Sequence, residues 1–405
     1  MTIGVGGSTA VAELASMTSI RGDAPPIGVA ERMHRMERAQ ALMEAQSIDA
    51  IWLDVSNSLT YFTGLRLGRT ERLHGALLPA RGGLTYLSPA FEVEKLKTMI
   101  SIPGEIAAWD EHEDPTALLV DTLRSQGIAR GRIGIDEATP FATFDNLRRA
   151  ANSYDYVNAS PITAACRQCK SAREIALMQT AMNITLEVHK AAARILRDGI
   201  TTTEVQAFIA AAHVKLGSEG ALPFNIVLFG EATAYPHGVP YAQTLKDGDM
   251  VLIDIGAPVG SYLSDLTRTY VFGTPSTRQR QVWNLERAAQ LAAFDAAKLG
   301  AKCEDIDIAA RGVIEKAGFG PGYATPGLPH RTGHGIGLDV HETPYIVKGD
   351  KTVLAPGMTF SIEPMICIYG AFGIRLEDHI YMAETGPRWF TPPAHSVDDP
   401  FGYES

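Results

Sequence analysis

Two stretches of this chain put carboxylates inside strands that should be buried, and that conflict limits what the chain can fold into. In residues 249–272, DMVLIDIGAPVGSYLSDLTRTYVF, two strands flank a Gly/Pro-bearing turn, and Asp254 interrupts the apolar run VLIDIG. A hairpin centred near Val259–Gly260 would set Asp254 directly opposite Asp265. Side chains paired in that way have Cβ atoms about 4.5–5.5 Å apart, and like charges there are destabilising. Residues 358–382, MTFSIEPMICIYGAFGIRLEDHIYM, repeat the pattern, because a hairpin centred on Gly370 would set Glu363 opposite Glu377. Arg375 shares the parity of Glu377 and should point to the same face. Burying such pairs requires cations or a shared proton. One pair alone reads more naturally as turn carboxylates on a solvated hairpin. Two hairpins with the same oddity point to a metal centre.

A third stretch supplies imidazoles. His330-Arg331-Thr332-Gly333-His334-Gly335-Ile336-Gly337-Leu338-Asp339-Val340-His341-Glu342 holds three histidines in twelve residues. The glycines around His334 allow close backbone approach to a ligand or ion. His237, in Tyr235-Pro236-His237-Gly238, adds another histidine in a turn. Asp254, Asp265, His334, Glu363 and Glu377 together suit a two-metal site, and an oxygen-rich set with one imidazole favours Mn²⁺, Co²⁺, Zn²⁺ or Fe²⁺. Two ions roughly 3.5–4 Å apart could bridge a water, lower its pKa and stabilise an oxyanion. That is hydrolytic chemistry at a carbonyl.

Composition narrows the setting. The chain has 405 residues and 36 Lys+Arg against 46 Asp+Glu, a net charge of −10. This length favours two domains, and the acidic balance argues against a nucleic-acid or anionic-membrane binder. No apolar run reaches the ~18 residues of a membrane span. The first residues lack the basic start and apolar core of a secretory signal. Four cysteines, with one isolated CxxC at Cys166 and Cys169, make neither a disulfide scaffold nor a zinc ribbon. The expected location is a reducing cytoplasm.

Residues 1–26 are rich in small residues without periodicity and read as a flexible N-terminal arm. Residues 27–158 alternate helical and strand patterns, including helices over Val29–Gln46 and Pro115–Ser125 and a hairpin at Arg81-Gly82-Gly83. Ser171–Glu174 and Thr201–Glu204 fit capping boxes that open helices running to about Arg197 and Leu216. Further helices fit Arg278–Lys298 and Glu304–Lys316, with strands over Met250–Ile255, Leu266–Phe272, Met358–Ile362 and Ile374–Met382. The expected class is α+β: an α/β domain over 27–158, a second domain over 159–392 and a tail over 393–405.

The order Asp254, Asp265, His334, Glu363, Glu377 resembles the ligand set of the pita-bread metallopeptidases, the superfamily of methionine aminopeptidase, aminopeptidase P, prolidase and the metal-free creatinases. The likeness extends to the eleven-residue Asp–Asp interval, Thr267-Arg268-Thr269, the GHGIGLDVHE stretch, Glu363-Pro364 and Gly373–Asp378. The two-domain layout is similar to aminopeptidase P, prolidase and creatinase. The resemblance implies a creatinase-like amino-terminal domain followed by a pita-bread catalytic domain. It implies that Asp254 binds one metal, that Asp265 and Glu377 bridge both, and that His334 and Glu363 complete the second. The ions would be Mn²⁺, Zn²⁺ or Co²⁺. Glu363 would also shuttle a proton from a metal-bridging hydroxide or water to the leaving nitrogen. His237 and His341 would touch the scissile amide, His330 the proline side of the substrate, and Arg375 stands beside the last ligand. A homodimer is also implied.

Within the superfamily, length and motif style resemble short bacterial Xaa-Pro dipeptidases. The expected substrate is a Xaa-Pro dipeptide or a short proline-containing peptide. A dipeptidase must hold a free carboxylate, which calls for Arg or Lys. Between His341 and Arg375 the only basic residues are Lys348 and Lys351, whereas some prolidases carry an Arg there. Arg66, Arg69 or Arg72 in the amino domain is the expected substitute, supplied in cis or by a partner subunit. The competing readings are an aminopeptidase P acting on longer peptides, a C–N hydrolase or lyase on the same fold, and a non-catalytic binding protein. The last would be expected to lose metal ligands, and none is missing.

Overall fold

Helix caps and alternating apolar positions set the local structure of this chain. The computed structural model describes residues 1–404. They divide into two compact units, Ile27–Arg167 and Met1–Pro26 with Gln168 onward.

The amino-terminal unit is built on six strands: Ala50–Asp54, Gly75–Pro79, Leu84–Pro89, Gly104–Trp109, Gly131–Ile135 and Tyr154–Asn158. In space they run fourth, third, second, first, fifth, sixth. The Arg81–Gly83 turn makes the expected antiparallel hairpin, with Leu77 beside Thr85, while the first, fifth and sixth strands pair in parallel. Parallel pairing needs crossover connections, and the helices Pro115–Ser125 and Phe141–Ala150 lie in two of them. Trp52, Leu77, Leu87, Leu119, Leu123 and Ile133 form the core between sheet and helices.

In the second unit both expected capping boxes are present. Ser171 and Glu174 open the helix Ala172–Arg194, and Thr201 and Glu204 open Thr202–Leu216. The first of these helices buries Leu177, Met178, Ala181, Met182, Ile184 and Val188, the stripe that a 3.6-residue period predicts. The helices Thr277–Ala296 and Cys303–Lys316 pack on a core that includes Trp283, Ile306, Phe360, Ile374 and Ile380. The chain thus has the expected α+β architecture. No helix among the described residues is long and apolar enough to cross a membrane.

Three expectations need correction. The first 26 residues are not a loose arm. Thr2 N–H donates to Gly273 O at 2.9 Å and Gly6 N–H to Ala193 O at 2.9 Å, a helix spans Ala10–Ser16, and Glu13 pairs with Arg194 at 2.7 Å. All of these partners are distant in sequence, so local composition carries no trace of them. The division between units falls after Arg167 rather than after residue 158, because the helix Ser160–Gln168 packs with the amino-terminal unit. The strand expected over Ile374–Met382 is two strands, Phe372–Arg375 and Asp378–Ala383.

Candidate metal centre

The first hairpin sits in a three-stranded sheet whose middle strand is Met250–Ile255, flanked by Leu266–Val271 and Asn225–Phe229. Asp254 therefore lies between Ile226 and Thr267, and not opposite Asp265 as expected. Val259 pairs with Tyr262 across Gly260-Ser261, and both turn residues have positive φ, 57° and 75°. A two-residue turn of this kind is preferred where strands twist right-handed. It moves the partner of Asp254 by two residues, from Asp265 to Thr267. A shift of two keeps every side chain on its face, where a shift of one would have turned it over. Asp265 stays beside Asp254, one residue ahead of its strand.

The second hairpin keeps the expected register. Ile362 faces Asp378 and Met365 faces Arg375, so Glu363 and Glu377 fall opposite each other between these pairs. Both lie where the ladder is interrupted. Pro364 lacks an N–H to donate, and the chain passes from a five-stranded sheet into a separate two-stranded one. The freed backbone bonds elsewhere. Glu377 exchanges hydrogen bonds with Thr267 at 3.2 and 3.3 Å, and Glu363 N–H donates to Thr332 O at 2.8 Å. The interruption thereby links both hairpins to the histidine segment.

His334 lies on the short strand Gly333–Gly335, paired with Tyr345 on one side, while Gly335 meets Phe360 on the other. A Cβ on Gly333 would stand 2.0 Å from Ser361 O, and one on Gly335 2.5 Å from Thr343 O. Only glycine permits the strand to lie this close. The amide of His334 donates to Ser361 Oγ at 2.9 Å, and that hydroxyl donates to Glu363 Oε1 at 3.2 Å. His334 Nδ1 donates to Gly335 O at 3.1 Å. Its Nε2 lone pair then faces Glu363 Oε1 at 3.2 Å, Asp265 Oδ2 at 3.6 Å and Glu377 Oε1 at 3.8 Å.

Arg375 closes the set from below. It donates to Asp254 Oδ2 at 2.5 Å, to Pro236 O at 3.0 Å and to Thr267 Oγ1 at 3.1 Å. Thr267 Oγ1 passes its own proton to Glu377 Oε2 at 2.6 Å. The guanidinium is thus spent on holding Asp254 and the turn that carries His237.

These side chains fit divalent cations. Asp254 Oδ1, Asp265 Oδ1 and Glu377 Oε1 are buried without any hydrogen-bond partner. Burial and the neighbouring carboxylates push the Asp265 and Glu377 carboxyls well above their ordinary range. Burial pushes Glu363 up to about 7. Burial also holds His334 well below the usual imidazole value, so it stands neutral with a lone pair to offer. Carboxylates that repel one another and a deprotonated imidazole are what a dication relieves. His379 also joins them: one ligand atom from each of Asp265, His334, Glu377 and His379 falls within a mutual 4.8 Å. In the sequence His379 alternates in phase with Arg375 and Glu377, the one signal that it shares their face.

The centre opens into a cavity of about 500 Å³, the size of a small-molecule site. Phe224, Ile226, Val340 and Tyr369 make apolar wall, and His237, His330, Arg331, His341 and Arg375 line it as well. The His341 ring lies tilted by 57° against the His334 ring, their centroids 4.1 Å apart. His330 donates from Nδ1 to Arg331 O at 2.7 Å, and its Nε2 is buried without a partner. Arg331 lies over the Tyr345 ring at 4.4 Å. It stands in the quoted histidine motif, yet only the fold turns it toward the cavity. In the amino-terminal unit Arg69 is spent on Val55 O at 3.0 Å and Ala138 O at 2.8 Å. Arg72 forks onto Glu111 at 2.9 and 3.0 Å, and Arg66 is exposed.

Residues 176–384 match the profile of "Metallopeptidase family M24", and residues 35–169 match "Creatinase/Prolidase N-terminal domain". The protein named "Probable dipeptidase PepE" in Mycobacterium bovis is 35% identical over 356 residues, covering 86% of this chain and 92% of that protein. The crystal structure of dipeptidase PepE from Mycobacterium ulcerans superposes with a TM-score of 0.85 at 33% identity, covering 92% of this chain and 99% of that one. The recombinant prolidase from Thermococcus sibiricus gives 0.82 at 30% identity, covering 89% and 96%. Similarity of this extent, running through both units, makes the chain a member of metallopeptidase family M24 that carries a creatinase/prolidase amino-terminal domain.

Proposed function

We propose that this protein is a dinuclear metal-dependent Xaa-Pro dipeptidase. The observation that carries the dipeptide reading is Arg331. It is the one cation on the cavity wall, among the described residues, that is not bonded to a metal-centre carboxylate. It is held flat by Tyr345 and lies within electrostatic reach of Glu363 and His341. A planar guanidinium of this kind suits a free C-terminal carboxylate, so Arg331 takes the part that the sequence analysis expected of Arg66, Arg69 or Arg72. The names of the prolidase and dipeptidase relatives agree with this reading.

Asp254 would hold one ion, Asp265 and Glu377 would be shared, and His334 with Glu363 would complete the second. When bound, the ions polarise the scissile carbonyl and acidify the attacking water. The protein supplies the rest. Glu363 is placed at the cavity wall to take a proton from the attacking water and hand it to the leaving proline nitrogen. The Ser361 hydroxyl fixes one of its oxygens for that transfer. His341, kept neutral by burial, and His237 donate toward the scissile amide. His330 and the apolar wall receive the proline ring. Arg375 orients Asp254 and the His237 turn and does not need to touch substrate.

The test is hydrolysis of Ala-Pro, Ala-Pro-amide, Ala-Pro-Ala and Met-Ala by the metal-loaded enzyme and by Arg331→Met. Ala-Pro should be preferred. The variant should lose most of its discrimination against the amide, with the loss chiefly in KM. Faster turnover of Ala-Pro-Ala than of Ala-Pro would replace the dipeptidase reading with an aminopeptidase P. Inactivity on every peptide with two metals bound would end the peptidase reading.

A further inference from the structure

We propose that His379 is an additional protein ligand of the metal centre, binding through Nε2 to the same ion as His334. This rests on the metal-centre reading above and adds a residue to it. His379 is fully buried on the strand Asp378–Ala383, where it faces Ser361, the residue whose hydroxyl bridges His334 and Glu363.

Its tautomer follows from one hydrogen bond. Nδ1 lies 2.7 Å from the backbone carbonyl of Asp265. A carbonyl oxygen only accepts, so Nδ1 carries the proton and Nε2 presents a lone pair. That Nε2 has no hydrogen-bond partner. A ring nitrogen of His379 lies with ligand atoms of Asp265, His334 and Glu377 all within 4.8 Å of one another, and Nε2 is the nitrogen left free to bind. The His334 and His379 rings meet edge to face, with centroids 5.7 Å apart.

With the two carboxyls deprotonated, each of the four groups offers an electron pair at that point. A dication is the species that satisfies such a set. The arrangement also repeats the one around His334, whose Nδ1 is likewise bonded to a backbone carbonyl. Metal-ligating histidines are usually fixed by such a bond, which sets both tautomer and aim. Because the carbonyl belongs to Asp265, His379 also ties the backbone of one carboxylate ligand to the strand that follows another. A second imidazole makes the site richer in nitrogen, and nitrogen ligands shift preference from Mn²⁺ toward Co²⁺ and Zn²⁺.

The test is anomalous diffraction from crystals of the Zn²⁺-loaded protein, paired with metal competition on His379→Asp and His379→Gln. The expected result is His379 Nε2 at about 2.0–2.1 Å from a zinc. Both variants should bind Zn²⁺ about 10-fold or more weakly than the wild type. The Zn²⁺ over Mn²⁺ preference should also drop in His379→Asp, where an oxygen replaces the nitrogen. Melting curves in chelator show whether each variant folds, and the wild-type crystal answers the question if neither does. Two zincs bound with His379 Nε2 beyond 3 Å of both would overturn the proposal while leaving the five-residue centre standing. No metal at the site after loading would overturn both. An unchanged zinc-to-manganese ratio in a folded His379→Asp would overturn the selectivity claim and the direct bond with it.

Discussion

In the proposed mechanism Glu363 meets two demands at once, a ligand's and a proton carrier's. It sits at the strand interruption on the cavity wall, with one oxygen fixed by Ser361. Glu363→Gln should keep the fold and lower kcat by about 10²- to 10⁴-fold, the usual share of a general acid–base group. Steady-state kinetics with melting curves would show it, and a variant within threefold of wild type would refute the shuttle role. Thr267 has a quieter part. Its hydroxyl receives Arg375 Nε and donates to Glu377. Thr267→Val should leave Glu377 less well aimed and weaken metal binding about 10- to 100-fold, which titration calorimetry would measure. Asp254 and Glu363 were readable in the sequence because a charge in an apolar strand needs a reason. Arg331 was not, because its neighbours in sequence say nothing of which side of the His330–His334 segment faces the cavity.

At the level of elements, the interruption of the second hairpin needs a foundation. Arg268 donates to Glu377 O at 3.0 Å and to Asp378 Oδ1 at 2.6 Å. Gln290 holds Leu376 O and Asp378 Oδ2, both at 3.0 Å. This buried network keeps Leu376–Asp378 in place without a β-ladder. Arg268→Met strands Asp378 uncompensated in the interior and should cost about 3–5 kcal/mol. Arg268→Met with Asp378→Leu should cost less than that, because no buried charge is left. Denaturant unfolding of both would decide, and a double variant less stable than the single one would refute the account. Helices and strands were largely legible here. The Ser171 and Thr201 caps and the apolar periods placed them within a few residues. The misses among strands included Asn225–Phe229, Glu342–Ile346 and Met365–Ile368, which were not expected, and the run Ile374–Met382, where one alternating stretch hides a change of sheet. Periodicity records which face is buried and not which sheet a strand pairs with.

Across the whole molecule, metal binding and folding should stabilise each other. Without cations the raised carboxyls of Asp265, Glu363 and Glu377 bind more protons in the folded chain than in the unfolded one. Stability of the metal-free protein should therefore fall as pH rises from the unfolded carboxyl pKa, about 4, toward about 7. His334, held low by burial, acts in the other direction: its contribution is lost as pH falls below about 6.5. Both groups bind metal only when deprotonated, so the melting-temperature gap between loaded and chelated protein should widen from pH 5.5 to pH 8. At a hundredfold excess over Kd the stabilisation is about 2.7 kcal/mol. Scanning calorimetry at three pH values would test it, and a gap that narrows with pH would refute it.

By itself, the sequence determined that buried carboxylates would need neutralising, made Asp254, Asp265, Glu363 and Glu377 the candidates, and placed an α/β unit ahead of the M24 unit. Each follows from short-range rules: alternation, capping, and the cost of burying charge. Only the tertiary structure decided the two-residue turn that moves Asp254 onto Thr267, the convergence of His334 and His379 on one point, the turning of Arg331 into the cavity, and the tethering of the first residues to Gly273 and Ala193. The last three depend on contacts between segments from about a dozen to hundreds of residues apart, which leave no mark on the local pattern of either partner, and the first on a turn geometry that the residues 256–264 permit without dictating.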